Sequence, residues 1–479
     1  MRTAHSVETV RRAERELMAR VPEGALMQRA AAGLAAACAD LLGRVYGRRI
    51  VLLVGSGDNG GDALYAGARL ARRGAGVTAV LLAPGRTHPG GLTALRRAGG
   101  ATAAPDGAGD PVRRADLVLD GVVGIGGRGG LRPAAADVAA LVGRSRALVV
   151  AVDLPSGVDA DTGEVHGSAM RADLTVTFGT HKPALLVDPA REYAGSVRLV
   201  DIGLAGHLPA VPELEALQHA DTAALLPAPG GESDKYRRGV VGIAAGSARY
   251  PGAAVLAVAG ALRGGAGAVR YVGPAGDAVL ARFPETLVSE RGPAHAGRVQ
   301  AWVVGPGAGD DAATVAEVLA ADVPVLIDAD GLRLADADVV RGRAAPTLMT
   351  PHAGEAAALL GVAREQVEGA RLASVRELAA RYRATVLLKG STTLVADAGG
   401  EGPVRVNATG TPWLATAGSG DVLSGLAGSL LAAGLGALDA GSVGAYLHGL
   451  AGRYAADGAP AGAHDVAEAI PRAWRDVCD

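Results

Sequence analysis

Ile50-Val51-Leu52-Leu53-Val54-Gly55-Ser56-Gly57-Asp58-Asn59-Gly60-Gly61-Asp62 is an apolar run that breaks into a glycine turn, and helical spacing follows over 63–73. A run this short has the length of a buried strand. Strand, glycine turn and helix in succession is the unit from which a parallel sheet flanked by helices is built. The flanks repeat it. Upstream, residues 1–49 read as helix, with Val7, Val10 and Leu17, then Leu26, Met27, Leu34, Leu41 and Leu42, at helical spacing around an interruption at Pro22 and Gly24. Downstream, runs at 77–82, 117–120, 147–152, 174–178 and 197–200 alternate with helical stretches.

From Leu208 to Gly231 the pattern lapses into Pro209, Pro212, Pro227, Pro229 and Gly230-Gly231 around a short helical piece. A domain boundary is expected at about 210–230, giving domains 1–215 and 216–479. Alternation then restarts, with expected strands at 240–244, 268–272, 300–304, 324–328, 347–350, 385–389 and 393–396, and a helix at 312–320. The expectation is α/β throughout: two layered domains, similar in class and different in motif order.

Composition narrows the function classes. With 49% apolar residues, 20% charged residues and a net charge of −2, nothing offers the basic field that nucleic acid or a membrane surface requires. The 2 cysteines, Cys38 and Cys478, form no metal-ligand pattern and suit a reducing cytoplasm. Residues 1–20 carry charge throughout and lack the apolar stretch of a signal peptide. No run approaches the ~20 apolar residues of a membrane span.

Parallel strands present their carboxyl ends along one edge, where ligands bind. Three strand ends in the first half carry polar clusters: 58–62, then Asp120 and the glycine-rich stretch to Gly130, then Asp153-Leu154-Pro155-Ser156-Gly157-Val158-Asp159. They are therefore expected to meet. The first matches neither a dinucleotide fingerprint nor a phosphate loop with a trailing Lys. Its oxygens suit a cation or ribose hydroxyls; a turn rich in Asn, Asp and Gly is the plainer reading.

With Leu26-Met27-Gln28-Arg29-Ala30 and Thr177-Phe178-Gly179-Thr180-His181-Lys182-Pro183, these clusters resemble the NAD(P)HX epimerase (YjeF N-terminal) domain over nearly all of residues 1–210. The resemblance implies a Rossmann-like parallel sheet with helices on both faces, and interconversion of the R and S forms of hydrated NADH or NADPH with bound potassium. It implies that Asn59, Asp120 and Ser156 hold K⁺ through hard oxygen ligands. Asp58, Asn59, Gly60, Gly61 and Asp62, with Gly124, Ile125, Gly126, Gly127, Arg128, Gly129 and Gly130, would cradle the substrate. Asp153 would contact the hydrated ring as acid/base. Asp58 and Ala63 stand where the family usually has Asn and Gly. Lys182 reads as a solvated surface lysine and is assigned no role.

In the second half, Gly305-Pro306-Gly307-Ala308-Gly309, Asp328-Ala329-Asp330-Gly331, Pro351-His352-Ala353-Gly354-Glu355, Lys389-Gly390-Ser391-Thr392-Thr393 and Gly418-Ser419-Gly420-Asp421 each follow a strand or open a helix. Gly418–Gly420 reads as a flexible turn. Asp421 opens the apolar run to Leu435, either as the N-cap or as a general base beside an anion site. Glu355 fits the end of a capping box. Lys389 ends an apolar strand, and a Lys there needs a partner, of which phosphate is one.

These stretches, with Asn407-Ala408-Thr409-Gly410, resemble the ADP-dependent NAD(P)HX dehydratase (YjeF C-terminal) domain, a ribokinase-like α/β sandwich, over about 225–479. The resemblance implies phosphoryl transfer from ADP to the ring hydroxyl, then loss of phosphate to restore NADH or NADPH, with Mg²⁺ at the nucleotide. Gly418, Ser419 and Gly420 would form the anion hole and Asp421 the base. Lys389, Gly390, Ser391, Thr392, Thr393 and Gly420 would hold the nucleotide, and Ala253, Gly307, His352 and Asp421 the hydrated dinucleotide. Ala417 and Trp413 stand where the family often has Gly. Two other readings are a ribokinase-like kinase for a sugar or vitamin alcohol, which has no use for the Asn59/Asp120/Ser156 cluster, and a nucleotide sensor, which has no use for Asp421, Lys389 and Asp153 together. The partners expected are NADHX, NADPHX and ADP, in a cytoplasmic homo-oligomer without nucleic acid or membrane.

Overall fold

The computed structural model describes residues 1–400 and 402–479. The chain divides into two compact units, Thr3–Glu213 and Leu214–Asp479, with Met1 and Arg2 grouped with the second.

In the first unit, β1 (Arg49–Val54), β2 (Gly76–Leu81), β3 (Ala101–Ala103), β4 (Leu117–Gly121), β5 (Leu148–Val152), β6 (Leu174–Phe178) and β7 (Ser196–Val200) lie in the order β3-β2-β1-β4-β5-β6-β7. Every pairing is parallel. The order reverses between β1 and β4, so the crevice at their carboxyl ends is the switch point where such sheets bind ligands. Alternation along β1 assigns its two faces. Ile50, Leu52 and Val54 pack with helices α1 (Val7–Met18), α2 (Ala25–Leu42) and α3 (Asp58–Arg72). Val51 and Leu53 pack with Val138 and Val142 of the helix Pro133–Gly143 on the other face. Helix α2 is apolar and long enough to cross a membrane by length and composition alone, against the expectation that no segment would be. It lays Leu34, Cys38 and Leu42 into the core.

The second unit contains β8 (Leu214–Ala216), β9 (Val240–Ala244), β10 (Ala268–Val272), β11 (Leu287–Ser289), β12 (Ala301–Val304), β13 (Val325–Ile327), β14 (Thr347–Met349), β15 (Thr385–Leu388), β16 (Thr393–Ala396) and β17 (Val404–Asn407). Their order is β8-β17-β16-β15-β14-β13-β12-β9-β10-β11. Strands β9 to β15 are parallel to their neighbours. β16 and β17 turn back antiparallel. On one face lie helices α4 (Pro251–Arg263), α6 (Ser419–Ala432) and α7 (Ala437–Ala456); α5 (Ala353–Leu360) follows β14. A side chain built on Gly425 would meet the Ala257 carbonyl oxygen at 1.9 Å, and one on Gly260 the Val422 carbonyl oxygen at 2.1 Å. Helices α4 and α6 therefore touch backbone to backbone. Gly425→Ala should cost about 1–3 kcal/mol, the usual price of overpacking a core, read as a lower denaturant midpoint.

Two expectations need correction. Residues 58–62 are the first turn of α3 rather than a loop, so the turn proper is Gly55–Gly57. Asp58 at a helix start is favoured by the dipole. Likewise α6 begins at Ser419, with Gly418 as its N-cap at φ 86°. Asp421 is the third residue of that helix and not its cap. Strands β3, β8, β11 and β17, of three or four residues each, did not stand out in the sequence.

Candidate functional site

At the switch point of the first unit, a hydrogen-bonded knot ties successive strand ends together. Asp120, the fourth residue of β4, is fully buried. Its Oδ1 accepts from Ser156 Oγ at 2.6 Å, and its Oδ2 from the Ser156 amide at 2.7 Å. Ser156 Oγ also accepts from the Val123 amide at 2.9 Å. Asn59 Nδ2 donates to the Val152 carbonyl at 2.7 Å. A side chain on Gly124 would begin 2.6 Å from Asn59 Oδ1, so the stretch that follows β4 starts against Asn59. Burial pushes the Asp120 carboxyl up to about 6, against the Ser156 and Val122 hydrogen bonds.

Asp153 follows β5 in the left-handed region, at φ 66°. A non-glycine residue there is strained, and such strain concentrates at functional sites. Its Oδ1 accepts from Lys182 Nζ at 2.5 Å, Thr177 Oγ1 at 3.0 Å and the Phe178 amide at 3.2 Å. Lys182 is thus not a solvated surface lysine: it is 1% exposed and ion-paired. Its charge can be buried because Asp153 pairs with it and Thr177 and the Phe178 carbonyl take its other protons. Asp62 is buried, and its Oδ1 has no hydrogen-bond partner among the described residues. Burial first, then Asp153, Asp58 and Glu14, push its carboxyl well above the usual range. The same unit holds a cleft of about 150 Å³ lined by Val7, Arg11, residues 125–128 and residues 159–161. Gly129 and Gly130 lie past it, where the Leu131 amide bonds the Ser168 carbonyl.

In the second unit the centre is Asp328, at the end of β13 and 1% exposed. Lys389 Nζ donates to its Oδ1 at 2.7 Å and Ser424 Oγ, one turn along α6 from Asp421, to its Oδ2 at 2.6 Å. Lys389 also lies 3.8 Å from Glu355. The partners that the fold gives Lys389 are therefore carboxylates. Burial opposes its charge, but Asp328, Glu355 and Asp421 outweigh burial and hold its pKa above the lysine range. A side chain on Gly420 would begin 3.4 Å from Lys389 Nζ, so the first turn of α6 lies beside this pair. Asp421, half-buried, is pushed up to about 7, by burial first and then by Asp328, with Lys389 opposing.

Around this centre the other expected residues fall into place or apart. His352 caps α5: its Nδ1 accepts from the Gly354 and Glu355 amides at 3.0 and 3.2 Å, and Glu355 accepts from the His352 amide at 2.8 Å. Gly307 and Ala253 adjoin, since a side chain on Gly307 would begin 2.7 Å from the Ala253 Cβ. Buried Arg371 donates to the Leu388, Lys389 and Thr392 carbonyls and shapes the Lys389–Thr392 turn.

Comparison with known proteins gives two matches along the chain. A family model described as YjeF-related protein N-terminus matches residues 23–184, and one described as NAD(P)H-hydrate dehydratase matches residues 241–472. The bifunctional NAD(P)H-hydrate repair enzyme of Mycobacterium tuberculosis is 52% identical over 443 residues, covering 90% of this chain and 89% of that protein. The chain belongs to the bifunctional NAD(P)H-hydrate repair family. Its Corynebacterium glutamicum relative is 38% identical, over 90% of this chain and 87% of that one. Among solved structures, the ADP/ATP-dependent NAD(P)H-hydrate dehydratase of Bacillus subtilis, co-crystallised with ATP/Mg²⁺, superposes with a TM-score of 0.50 at 28% identity. It covers 55% of this chain and 99% of its own length, and it supports the ribokinase-like fold of the second unit.

Several residues of this family member escaped the sequence reading. Lys182 gave the wrong signal because a lone Lys in a polar stretch is usually solvated. Asp328 was visible as a strand-end acid, without a role. Ser424 and His448 lie inside apolar helices. His448 is buried, its Nε2 has no partner among the described residues, and burial pushes it down to about 4.

Proposed function

We propose that the chain repairs hydrated nicotinamide dinucleotides at two sites: an epimerase in the first unit interconverts the R and S hydrates, and a dehydratase in the second restores NADH or NADPH from the S form at the expense of ADP. The observation that carries this reading is Asp421, a carboxyl in the first turn of α6, which lies beside the Lys389–Asp328 pair; burial pushes that carboxyl up to about 7. A base works best with a pKa near the operating pH. In the dehydratase, Asp421 takes the proton of the ring hydroxyl as that oxygen attacks the terminal phosphoryl group of ADP. Phosphorylation turns a poor leaving group into a good one, and departure of phosphate, with loss of a proton from the neighbouring ring carbon, restores the ring double bond. The free amides of the first turn of α6, after Gly418, favour the phosphoryl charge. Asp328 and Ser424 keep Lys389 beside them. The Lys389–Thr393 turn serves the nucleotide; Ala253, Gly307 and His352 serve the dinucleotide.

Two metals belong to the reading. Mg²⁺ shields nucleotide phosphates and needs only one or two carboxylates besides phosphate and water; Glu355 and Asp328 fit that need. K⁺ prefers hard oxygen ligands. Asn59, Asp120 and Ser156 offer them, and a fully buried carboxyl pushed up to about 6 with no ion pair among the described residues gains from a cation. The two cysteines are free thiols, which suits a cytoplasmic enzyme.

The test is hydrated NADH of defined epimer with ADP, following the absorbance of the reduced ring. Recovery of both epimers is expected. Recovery of neither, with a phosphorylated sugar or vitamin alcohol formed from ATP, would turn the reading to a kinase. Asp153→Ala should leave only the S epimer repaired quickly, and equal rates on both epimers would remove Asp153 from the mechanism.

A further inference from the structure

We propose that Glu14 is the second proton carrier of the epimerase site, giving a proton to the ring nitrogen of the hydrated nicotinamide while Asp153 takes one from its hydroxyl. The proposal rests on the epimerase reading of the first unit.

Inverting the carbon that bears the hydroxyl requires it to become planar. The hydroxyl sits beside the ring nitrogen, so the ring can open as a carbinolamine does. The O–H proton leaves to a base, the carbon–oxygen bond becomes a carbonyl, the carbon–nitrogen bond breaks, and the nitrogen takes a proton from an acid. Closure on the other face returns both protons, so atoms and charge balance without any oxidant or reductant. One carboxylate cannot do both jobs at once. Asp153 already accepts three donors on Oδ1, which leaves Oδ2 for the hydroxyl.

Helix α1 supplies the other group. Val7 and Arg11 line the cleft, and at 3.6 residues per turn Glu14 follows them on the same face. Val10, Ala13 and Leu17 occupy the adjoining stripe, buried in the core. Glu14 is half-buried and makes no hydrogen bond or ion pair among the described residues, so its carboxyl is held by nothing but its surroundings. The charges that bear on it are Lys182, Asp153, Asp58 and Arg11, and buried Asp62 bears on it in turn. Burial first, with Asp153 and Asp58, raises its pKa against Lys182 and Arg11. Glu14 therefore keeps its proton to higher pH than a free glutamate, as a general acid must.

The experiment uses the full chain and Glu14→Gln and Glu14→Asp variants, with R hydrate as substrate, ADP saturating, and S hydrate as a control read in the same cuvette. Glu14→Gln should slow R conversion by about 10²-fold or more, leave S dehydration at the wild-type rate, and abolish the high-pH fall in kcat/KM for the R form. Glu14→Asp should regain much of the rate and keep that fall. Glu14→Gln within threefold of wild type, or a slow variant with the wild-type pH profile, overturns the proposal. If the wild type itself leaves R hydrate unconverted while restoring the S form, the epimerase reading fails, and the proposal fails with it. If Glu14→Gln folds poorly, Glu14→Asp decides: a reduced rate with the high-pH fall displaced supports an acid at this position, and a rate and profile both unchanged from wild type refute it.

Discussion

Asp421→Asn lowers ADP-driven dehydration of the S hydrate by about 10²- to 10⁴-fold, the usual contribution of a positioned general base. Asn keeps the size of the side chain and its place in the first turn of α6, so the fold should survive. It removes the proton acceptor. The same loss should be visible without mutation. In the free enzyme the Asp421 carboxyl titrates at about 7, and only its ionised form takes a proton. Wild-type kcat/KM for the S hydrate should therefore rise through pH 7 and level above it, falling tenfold per pH unit well below. Asp421→Asn should flatten that limb. A variant that keeps wild-type turnover, or a wild-type profile flat between pH 5 and 8, would take the base assignment away from Asp421.

Lys182→Met destabilises the first unit by about 3–5 kcal/mol, the penalty for removing one partner of a buried ion pair. The pair is nearly dry, with side chains 1% and 9% exposed. Without the ammonium, Asp153 stays buried with only the Thr177 hydroxyl and the Phe178 amide as donors. Denaturant titration of the full chain reads the effect, and the transition of the first unit should move alone, because the two units have separate cores. Adding Asp153→Asn to Lys182→Met should return a large part of the lost stability, since the stranded charge is gone. Epimerisation should not return with it. If Lys182→Met unfolds at the wild-type midpoint, the pair contributes nothing net and Lys182 serves the site alone.

Much of this architecture could be read from the chain. Buried parallel strands are short, apolar and bounded by glycine turns, so β1, β4, β5, β9 and β13 stood out within a residue or two of their observed ends. Strands β3, β8, β11 and β17 did not, because three or four residues carry too little periodicity to register. The acids at strand ends were legible for a topological reason: a parallel sheet gathers them on one edge. Their partners were harder to see. Lys182 reaches Asp153 from 29 residues away and Ser424 reaches Asp328 from 96 away. No local pattern encodes such a meeting. Helix starts also misled, since a glycine-rich stretch with a polar residue reads as loop although Asp58–Asp62 and Ser419–Asp421 are helical.

The knot of Asp120, Ser156 and the Val123 amide bears on what a ligand must overcome on arrival. The segments that follow β4 and β5 would be free to wander if they were joined only by chain. Instead Ser156 is tied through both its hydroxyl and its amide to a buried carboxyl, and its hydroxyl holds the next turn. Ordering one residue costs roughly 1–2 kcal/mol of backbone entropy, and here that cost is met during folding. On the epimerase reading proposed above, a substrate entering at this edge would find its walls already set, leaving more of its contact energy for affinity.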